Sequence, residues 1–244
     1  MTSFLLALQF LTSIPIKISK ISGKRIGLSL IYFPIIGSIL GFALITVNSL
    51  LIAFGIPNLT INIILVIILV LLTAGLHLDG LSDTSDAFLS GKDKSDMLLI
   101  MRDPHIGVMG VLSILGILLL KIGLLSSLLG FEKQTALLLM CILSRWSSVL
   151  MIFLFPYARE SGKAKAFIEE INLNIFTIST FIALILAFII LGIHGLILLL
   201  IIGGFAYLIG KMSIRKISGI TGDVIGATIE ITEVITLAAI CFIK

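Results

Sequence analysis

The chain has 244 residues, of which 59% are hydrophobic and 12% are charged, and its formal net charge is +4. Soluble domains carry about a quarter charged residues, so this composition excludes a soluble globule, whose exterior needs many more polar side chains. The basic residues are spread over short loops, which excludes a nucleic-acid-binding protein. A lipid bilayer is the expected partner. Cys141 and Cys241 lie within apolar runs, which predicts small buried side chains and no disulfide.

The apolar pattern predicts an all-α, polytopic integral membrane helical bundle that forms a single domain over residues 1–244. Residues 1–16 lack a basic leader region and are short for the about 30 Å of hydrocarbon in a bilayer, so we expect an interfacial or re-entrant helix there. About seven transmembrane helices follow, because seven stretches approach the about 20 residues that a span needs. These stretches are 27–54, 60–78, 106–129, 134–155, 172–192, 195–210 and 225–243.

Basic residues concentrate on one side of this predicted layout. Alternating the spans places four loops on one face, and these loops hold 13 of the 17 lysines and arginines. Because positive loops face the cytoplasm, we expect a multi-pass protein of the cell membrane whose active face is cytoplasmic. The four loops are 17–26, 79–105, 156–171 and 211–224.

The densest polar cluster is the segment HLDGLSDTSD, which follows the 60–78 stretch. Its three carboxylates, Asp79, Asp83 and Asp86, fall on one face if a helix continues through them. Three such charges repel one another unless a cation neutralises them. Carboxylate oxygens suit Mg²⁺, or Mn²⁺, better than zinc, so we predict a metal site here. The alternative is a solvated acidic loop that caps the next helix.

Arg102 and Asp103 precede the 106–129 stretch. An arginine can donate two hydrogen bonds to a phosphate, and a helix N-terminus adds backbone donors, so we predict an anion-binding site. The alternative is that Asp103 caps the helix while Arg102 lies among the lipid headgroups.

Basic residues also follow the 134–155 stretch in the segment PYARESGKAKA. Tyr157, Arg159, Lys163 and Lys165 could bind a polyphosphate. They could equally reflect the general preference of basic loops for the cytoplasmic side.

The last polar segment, GITGDVIGATIEITE, enters the 225–243 stretch. Asp223 is a candidate metal ligand, and Glu230 and Glu233 are predicted to lie inside the membrane, where carboxylates are usually functional. Lys121 and Arg145 are also predicted to be intramembrane, so a structural ion pair is the alternative role of the two glutamates.

His77 stands two residues before Asp79 and could be a metal ligand, a partner of a ligand or a general base. The alternative is a histidine that is simply hydrogen-bonded at a helix end. Together, acids for a metal and phosphate-suited cations on one face predict phosphoryl-group transfer, in which metal ions neutralise the phosphate oxygens.

The motifs resemble those of the cobalamin synthase family, the adenosylcobinamide-GDP ribazoletransferases, along the whole chain. The segment from His77 to Asp86 is similar to the family motif HLDGLADTAD. Five further segments match in order: ALQFLTSIP at 7–15, YFPIIG at 32–37, IMRD with IG at 100–107, PYAR with Gly162 at 156–162, and TGDVIGA with Glu230 and Glu233 at 221–233.

The resemblance implies a Mg²⁺-dependent membrane enzyme that assembles the cobalamin nucleotide loop. Adenosylcobinamide-GDP and α-ribazole, or its 5′-phosphate, would give adenosylcobalamin, or its 5′-phosphate, and GMP. The implied catalytic residues are His77, Asp83 and Arg102, with His77 or one aspartate accepting the hydroxyl proton. The implied metal ligands are Asp79, Asp83, Asp86, Asp223, Glu230 and Glu233. The implied substrate and phosphate ligands are Arg102, Asp103, Tyr157, Arg159, Lys163, Thr221 and Gly222. A homo-oligomer or an association with other cobalamin-assembly enzymes is also expected.

Two other functions fit an acidic membrane protein. A phospholipid-making transferase of the CDP-alcohol type also uses acids at a membrane surface, but its DGxxAR motif is not met, because Ser82 and Asp83 stand where Ala and Arg should be. An ion-coupled transporter would use Glu230 and Glu233 as coupling sites. The crowding of polar motifs on one face argues against transport, which needs access from both faces.

Overall fold

The computed structural model describes residues 2–16, 22–162 and 164–243, and within them the secondary structure is almost entirely helical. A short 3₁₀ turn, Leu30–Tyr32, joins α2 to α3, and a bridge between Tyr157 and Ile220 is the one extended pairing in this part of the chain. The predicted all-α class is therefore confirmed. The helices are α1 Thr2–Leu11, α2 Gly23–Ser29, α3 Phe33–Ala53, α4 Asn58–Leu72, α5 Leu76–Leu89, α6 Lys94–Ile100, α7 Val108–Ser126, α8 Gly130–Leu154, α9 Lys165–Glu170, α10 Leu173–Ile217 and α11 Gly222–Phe242.

Among the described residues, five helices are long and apolar enough to cross a bilayer, and there are six if α4 and α5 together count as one bent span. The chain is thus a multi-pass membrane protein, while the predicted number of seven spans is not confirmed. With ten residues, α1 is too short to cross a bilayer. The five helical stretches are Gly23–Ala53, Val108–Ser126, Gly130–Leu154, Leu173–Ile217 and Gly222–Phe242.

The 45-residue helix α10 doubles back at Gly192, where φ is +58° and ψ is −139°. This conformation is open to glycine and strained for other residues. Phe176 stacks on Phe153 with 4.3 Å between ring centroids, and the ring centroids of Tyr207 and Phe155 are 6.0 Å apart. Residues 176 and 207 therefore both lie beside the same end of α8. A straight helix would separate residues 176 and 207 by about 46 Å. The helix is therefore a hairpin of two arms, in the region where the sequence predicts two separate stretches.

The predicted stretch 60–78 is not one straight helix. α4 ends at Leu72, and α5 starts at Leu76 at an angle of 88° to α4. Ala74 and Gly75 form the break, with left-handed φ values of +51° and +67°. The sequence did not indicate this bend, because the apolar pattern continues across the break and no proline marks it. The bend lets α5 pack beside α11.

The central helix of the bundle is α8, which is buried on nearly all sides. α3 approaches it closely through Gly37 and Gly41, where an added Cβ would meet the backbone at Cys141 and Leu138. Cys141 is buried in this contact, as predicted, whereas Cys241 is only partly buried. The close packing of α3, α8 and α11 fixes the frame on which the polar end of the bundle is built.

Candidate active site

The acidic motif lies on α5, which runs without interruption over Leu76–Leu89. The helix predicted to carry Asp79, Asp83 and Asp86 is therefore present. No hydrogen bond or ion pair from another described residue reaches the carboxylates of Asp79 and Asp83. Asp79 is exposed and Asp83 half-buried, so both can accept ligands from outside the chain.

Asp86 differs from the other two acids because it caps α7. Its two carboxylate oxygens accept hydrogen bonds from the backbone N–H groups of Gly107 at 2.7 Å and Gly110 at 2.8 Å. A Cβ on either glycine would collide with the Asp86 carboxylate. An acid at a helix N-terminus satisfies backbone donors and the helix dipole. Asp86 thus caps α7 from α5 and has partners other than a metal, although it lies on a helix and not in the solvated acidic loop of the alternative interpretation.

Asp223, in the first turn of α11, lies against α5. A Cβ added at Gly80 would stand 2.7 Å from the Asp223 carbonyl oxygen, so the two helices touch at this point. The Asp223 carboxylate accepts a 2.7 Å hydrogen bond from Arg159 and one of 3.2 Å from the Thr221 hydroxyl. Thr221 also caps α11 by accepting a hydrogen bond from the Val224 N–H.

The acids of α5 and α11 act on one another electrostatically. The Asp83 carboxylate is repelled by those of Asp79, Asp223 and Asp86 and attracted by the Arg159 guanidinium. Within the described residues, no three acidic, histidine or cysteine side chains are close enough to hold a metal by themselves. Mg²⁺ usually binds one or two carboxylates and completes its shell with water and substrate phosphates. The open carboxylates fit such a shared site, whereas they do not form a closed protein cage.

Arg102 and Asp103 lie in the exposed loop between α6 and α7. Asp103 accepts hydrogen bonds from the backbone N–H of His105 at 2.9 Å and from its ring Nδ1 at 2.6 Å. The hydrogen bond from the His105 N–H lowers the pKa of Asp103. Asp103 therefore closes a local turn and does not cap α7, because Asp86 occupies that position. Arg102 makes no hydrogen bond within the described chain.

The loop after α8 is hydrogen-bonded to the residues just before α11. The N–H of Ala158 donates to the Ile220 carbonyl at 2.9 Å, and the N–H of Ile220 donates to the Pro156 carbonyl at 2.8 Å. This pairing places Tyr157 and Arg159 beside Asp223. Burial of the half-buried ring raises the pKa of the Tyr157 hydroxyl.

The remaining basic residues of this loop have different positions. Lys165 donates to the Glu160 carbonyl at 2.7 Å and is 3.6 Å from Glu169. Lys163 lies outside the described residues.

Glu230 and Glu233 are buried with two cations between α7, α8 and α11. The Lys121 ammonium donates to Glu230 at 2.6 Å and also to Glu233, and the Arg145 guanidinium donates to Glu233. All four residues are at most 4% exposed. The structural ion pair that was the alternative role of these glutamates is present. The charges of the two glutamates are neutralised by the two cations, so neither carboxylate is unpaired and available to a metal. We therefore do not retain them as ligands.

His77 is buried in the first turn of α5, 3% exposed, and its Nε2 atom has no hydrogen-bond partner among the described residues. It lies close enough to the buried ion pairs to interact electrostatically with Arg145 and Glu233. Buried polar atoms nearly always have a partner, so this atom is available to a ligand.

Two cavities open on either side of the first turn of α5. One, of about 610 Å³, lies beside α11 and is lined by residues of α1, α2, α5, α8, α9 and α11 and of the loop after α8. The other, of about 760 Å³, lies beside α7 and is lined by α5, the Arg102 loop and α7. We call them the α11 cavity and the α7 cavity. Both are lined by Leu76 and Asp79.

Sequence reasoning assigned no role to several residues that line the α11 cavity, although two of them, Gln9 and Phe10, lie in the ALQFLTSIP motif. Gln9 and Phe10 of α1, Ser148 of α8 and Phe167 of α9 all face it. They are ordinary polar, aromatic or small residues whose role depends on how distant helices pack. Gly222, predicted as a phosphate ligand, also lines this cavity.

These features define a multi-pass helical membrane protein with an acidic, arginine-flanked site at one end of its bundle. Residues 3–241 match the family model of cobalamin-5-phosphate synthase, and the chain belongs to this family. The match decides against the CDP-alcohol and transporter alternatives.

Curated relatives match over nearly the whole chain. The adenosylcobinamide-GDP ribazoletransferase of Roseiflexus sp. (strain RS-1) is 39% identical, over 96% of this chain and 87% of the relative. The proteins of the same name from Acinetobacter baumannii (strain ATCC 17978) and Clostridioides difficile (strain 630) are 37% and 33% identical, each over 97% of this chain and 96% of the relative. No solved structure was found to match the chain.

Proposed function

We propose that this chain transfers the adenosylcobinamide-phosphate group from adenosylcobinamide-GDP to α-ribazole, or to its 5′-phosphate, and releases GMP. The product is adenosylcobalamin or its 5′-phosphate. The observation that carries the proposal is the match of residues 3–241 to one family, with relatives of this named activity. The geometry supports it, because open carboxylates and arginines meet at one end of the bundle, as phosphoryl transfer requires.

The proposed metal ligands are Asp79, Asp83 and Asp223. Asp79 and Asp83 have no other partner in the described chain. Asp223 would add a carboxylate oxygen from α11, while its Oδ2 atom accepts the hydrogen bond from Arg159. When bound there with the substrate diphosphate, Mg²⁺ or Mn²⁺ would neutralise charge on the phosphate oxygens and polarise the phosphorus.

The protein groups have separate roles in this proposal. Arg102, exposed in its loop without a partner in the described chain, binds the phosphates, and Arg159 orients Asp223 and adds positive charge beside it. The attacking hydroxyl passes its proton to His77 or to Asp79, since both line the α11 cavity.

We further propose that the protein lies in the cell membrane with the acidic end facing the cytoplasm. The concentration of basic residues in the loops at that end supports this orientation. Association with itself or with other cobalamin-assembly enzymes stays a prediction.

The test uses membranes that contain the full chain, incubated with adenosylcobinamide-GDP and α-ribazole. We expect GMP and the complete corrinoid to form with Mg²⁺, to stop forming with EDTA, and to form again when Mg²⁺ or Mn²⁺ is added in excess. A product without GMP, or full turnover in EDTA, would contradict the proposed reaction or its metal dependence respectively.

A further inference from the structure

The two cavities meet at one point of the chain, the first turn of α5. Leu76 and Asp79 line both, so a group bound in either cavity can reach the Asp79 carboxylate. A transferase must bring an acceptor and a donor together at the reacting atoms. Two adjoining cavities with a shared carboxylate provide that arrangement, and the remaining question is which substrate each of them takes.

The α11 cavity has mainly apolar walls. Phe10, Phe167, Ile225 and Ile229 line it, and Tyr157 adds an aromatic ring. Phe10 and Phe167 lie against each other, with 4.5 Å between their ring centroids, so this wall is preformed. A mainly apolar pocket with a few polar groups is typical of a small-molecule site, and its aromatic walls suit a flat, aromatic ring.

The polar groups of the α11 cavity suit a sugar. His77 has an unpartnered Nε2 atom and Asp79 is open to ligands, whereas Arg159 and Asp223, which also line the cavity, are hydrogen-bonded to each other. Ribose hydroxyls donate and accept hydrogen bonds and would satisfy such groups. A nucleoside combines both requirements, since it has a flat base for the apolar walls and hydroxyls for the polar end.

The α7 cavity is lined by more charged groups. Asp79, Asp83, Arg102, Asp103 and His105 all face it. Phosphate oxygens bind to arginine directly and to carboxylates through a divalent cation. This cavity therefore suits the anionic end of a nucleotide better than an uncharged nucleoside.

We infer that the α11 cavity binds the acceptor nucleoside of the ribazole class, while the α7 cavity binds the diphosphate of the donor, so that the two meet at Asp79. This inference rests on the proposed function. In the transfer, a ribose hydroxyl oxygen forms a new bond to the phosphorus next to cobinamide, and the bond from that phosphorus to the bridging oxygen of GMP breaks. The hydroxyl proton passes to His77 or Asp79, and GMP leaves with the electron pair.

The experiment fills each cavity separately with a large side chain. Ala166, half-buried on α9, lines the α11 cavity, and Ile114, half-buried on α7, lines the α7 cavity. The variants are Ala166→Trp and Ile114→Trp, with Ala53→Trp on the exposed end of α3 as the matched control. Binding of labelled α-ribazole and of adenosylcobinamide-GDP is measured separately by equilibrium dialysis in nanodiscs.

We expect Ala166→Trp to weaken α-ribazole binding by about tenfold or more, because the cavity loses volume, and to leave donor binding within about twofold. Ile114→Trp should weaken donor binding and spare α-ribazole. The smaller change Ala166→Leu should give an intermediate loss. Retained donor binding shows that the Ala166 variants are folded, and retained α-ribazole binding shows that Ile114→Trp is folded.

Unchanged α-ribazole binding in Ala166→Trp, or loss of the donor instead, would overturn the assignment and would mean that a lipid chain or the donor occupies the α11 cavity. These outcomes differ from failure of the proposed function, in which the wild-type protein itself releases no GMP from the two substrates.

Discussion

At the scale of single residues, four aspartates at the same end of the bundle have different surroundings. Asp86 is occupied by two backbone N–H groups, and Asp223 is held by Arg159. Asp79 and Asp83 have no partner in the described chain. Sequence spacing treats the three acids of α5 alike, whereas packing distinguishes them, so we expect substitutions at these positions to have different effects.

Replacement of Asp83 by Asn should lower the rate of GMP release by about two orders of magnitude or more, because a neutral amide binds a divalent cation poorly. Membrane insertion and stability should be unchanged, since the side chain makes no contact that Asn would break. The measurement is GMP release by purified membranes. Asp96→Asn, at an exposed position of α6, is the control and should keep the wild-type rate. Near-normal activity in Asp83→Asn would remove Asp83 from the metal site.

The buried ion pairs lead to a second prediction at the scale of single residues. Lys121→Met leaves Glu230 without its cation and should destabilise the fold by about 3 to 5 kcal/mol, the usual cost of an uncompensated buried charge. The double variant Lys121→Met/Glu230→Gln restores neutrality and should recover much of this loss. Thermal unfolding in detergent micelles measures both. A double variant no more stable than the single one would show that the charges do not stabilise each other.

At the scale of elements, α5 acts as a connector between helices. It caps α7 through Asp86 and touches α11 through Gly80, so the end of the Arg102 loop that enters α7 is held by the acidic helix. The position of Arg102 thus depends on a carboxylate that does not itself need to bind substrate.

Asp86→Ala should expose the amides of Gly107 and Gly110 and lower stability by about 1 kcal/mol, the usual value of a helix cap. Hydrogen exchange of the segment 103–111, followed by mass spectrometry, measures this loss of protection. Asp86→Asn keeps one good acceptor and should show a smaller change. If exchange is unaffected and the Mg²⁺ concentration for half-maximal activity rises instead, Asp86 is a metal ligand and not a cap.

The sequence predicted these elements unevenly, for physical reasons. The spacing of the acids was compatible with a helix through α5, because a 3.6-residue period is a local property, although a loop was left open. The break at Ala74 and Gly75 left no trace in the apolar pattern, since lipid-facing and buried positions are both apolar there. The partners of Asp86 and Glu233 come from helices 21 to 112 residues away, and spacing along the chain contains no information on such distant contacts.

At the scale of the whole molecule, polar groups are placed asymmetrically. Asp79, Arg102, Arg159 and Asp223 share one end, while the turn of the α10 hairpin at Gly192 points the other way, since both arms pack along α8. The bundle therefore has one chemically active end and one that is mainly apolar.

Single cysteines introduced at the two ends should react from opposite sides of the membrane. In a background with Cys141→Ala and Cys241→Ala, we expect residues 105 and 161 to react with an impermeant maleimide from the cytoplasmic side, and residues 131 and 194 from the other side. All four positions are exposed. Right-side-out and inverted vesicles provide the comparison. Labelling of residue 194 together with residue 105 would contradict the α10 hairpin.

The ion pairs between α11 and the two earlier helices also bear on biogenesis. Lys121 precedes Glu233 by 112 residues and Arg145 precedes it by 88, so a ribosome delivers both cations to the bilayer long before it makes their acidic partners. An unpaired cation in hydrocarbon is costly. The early helices must therefore wait, shielded by water, lipid headgroups or the insertion machinery, until translation of α11 allows the bundle to close.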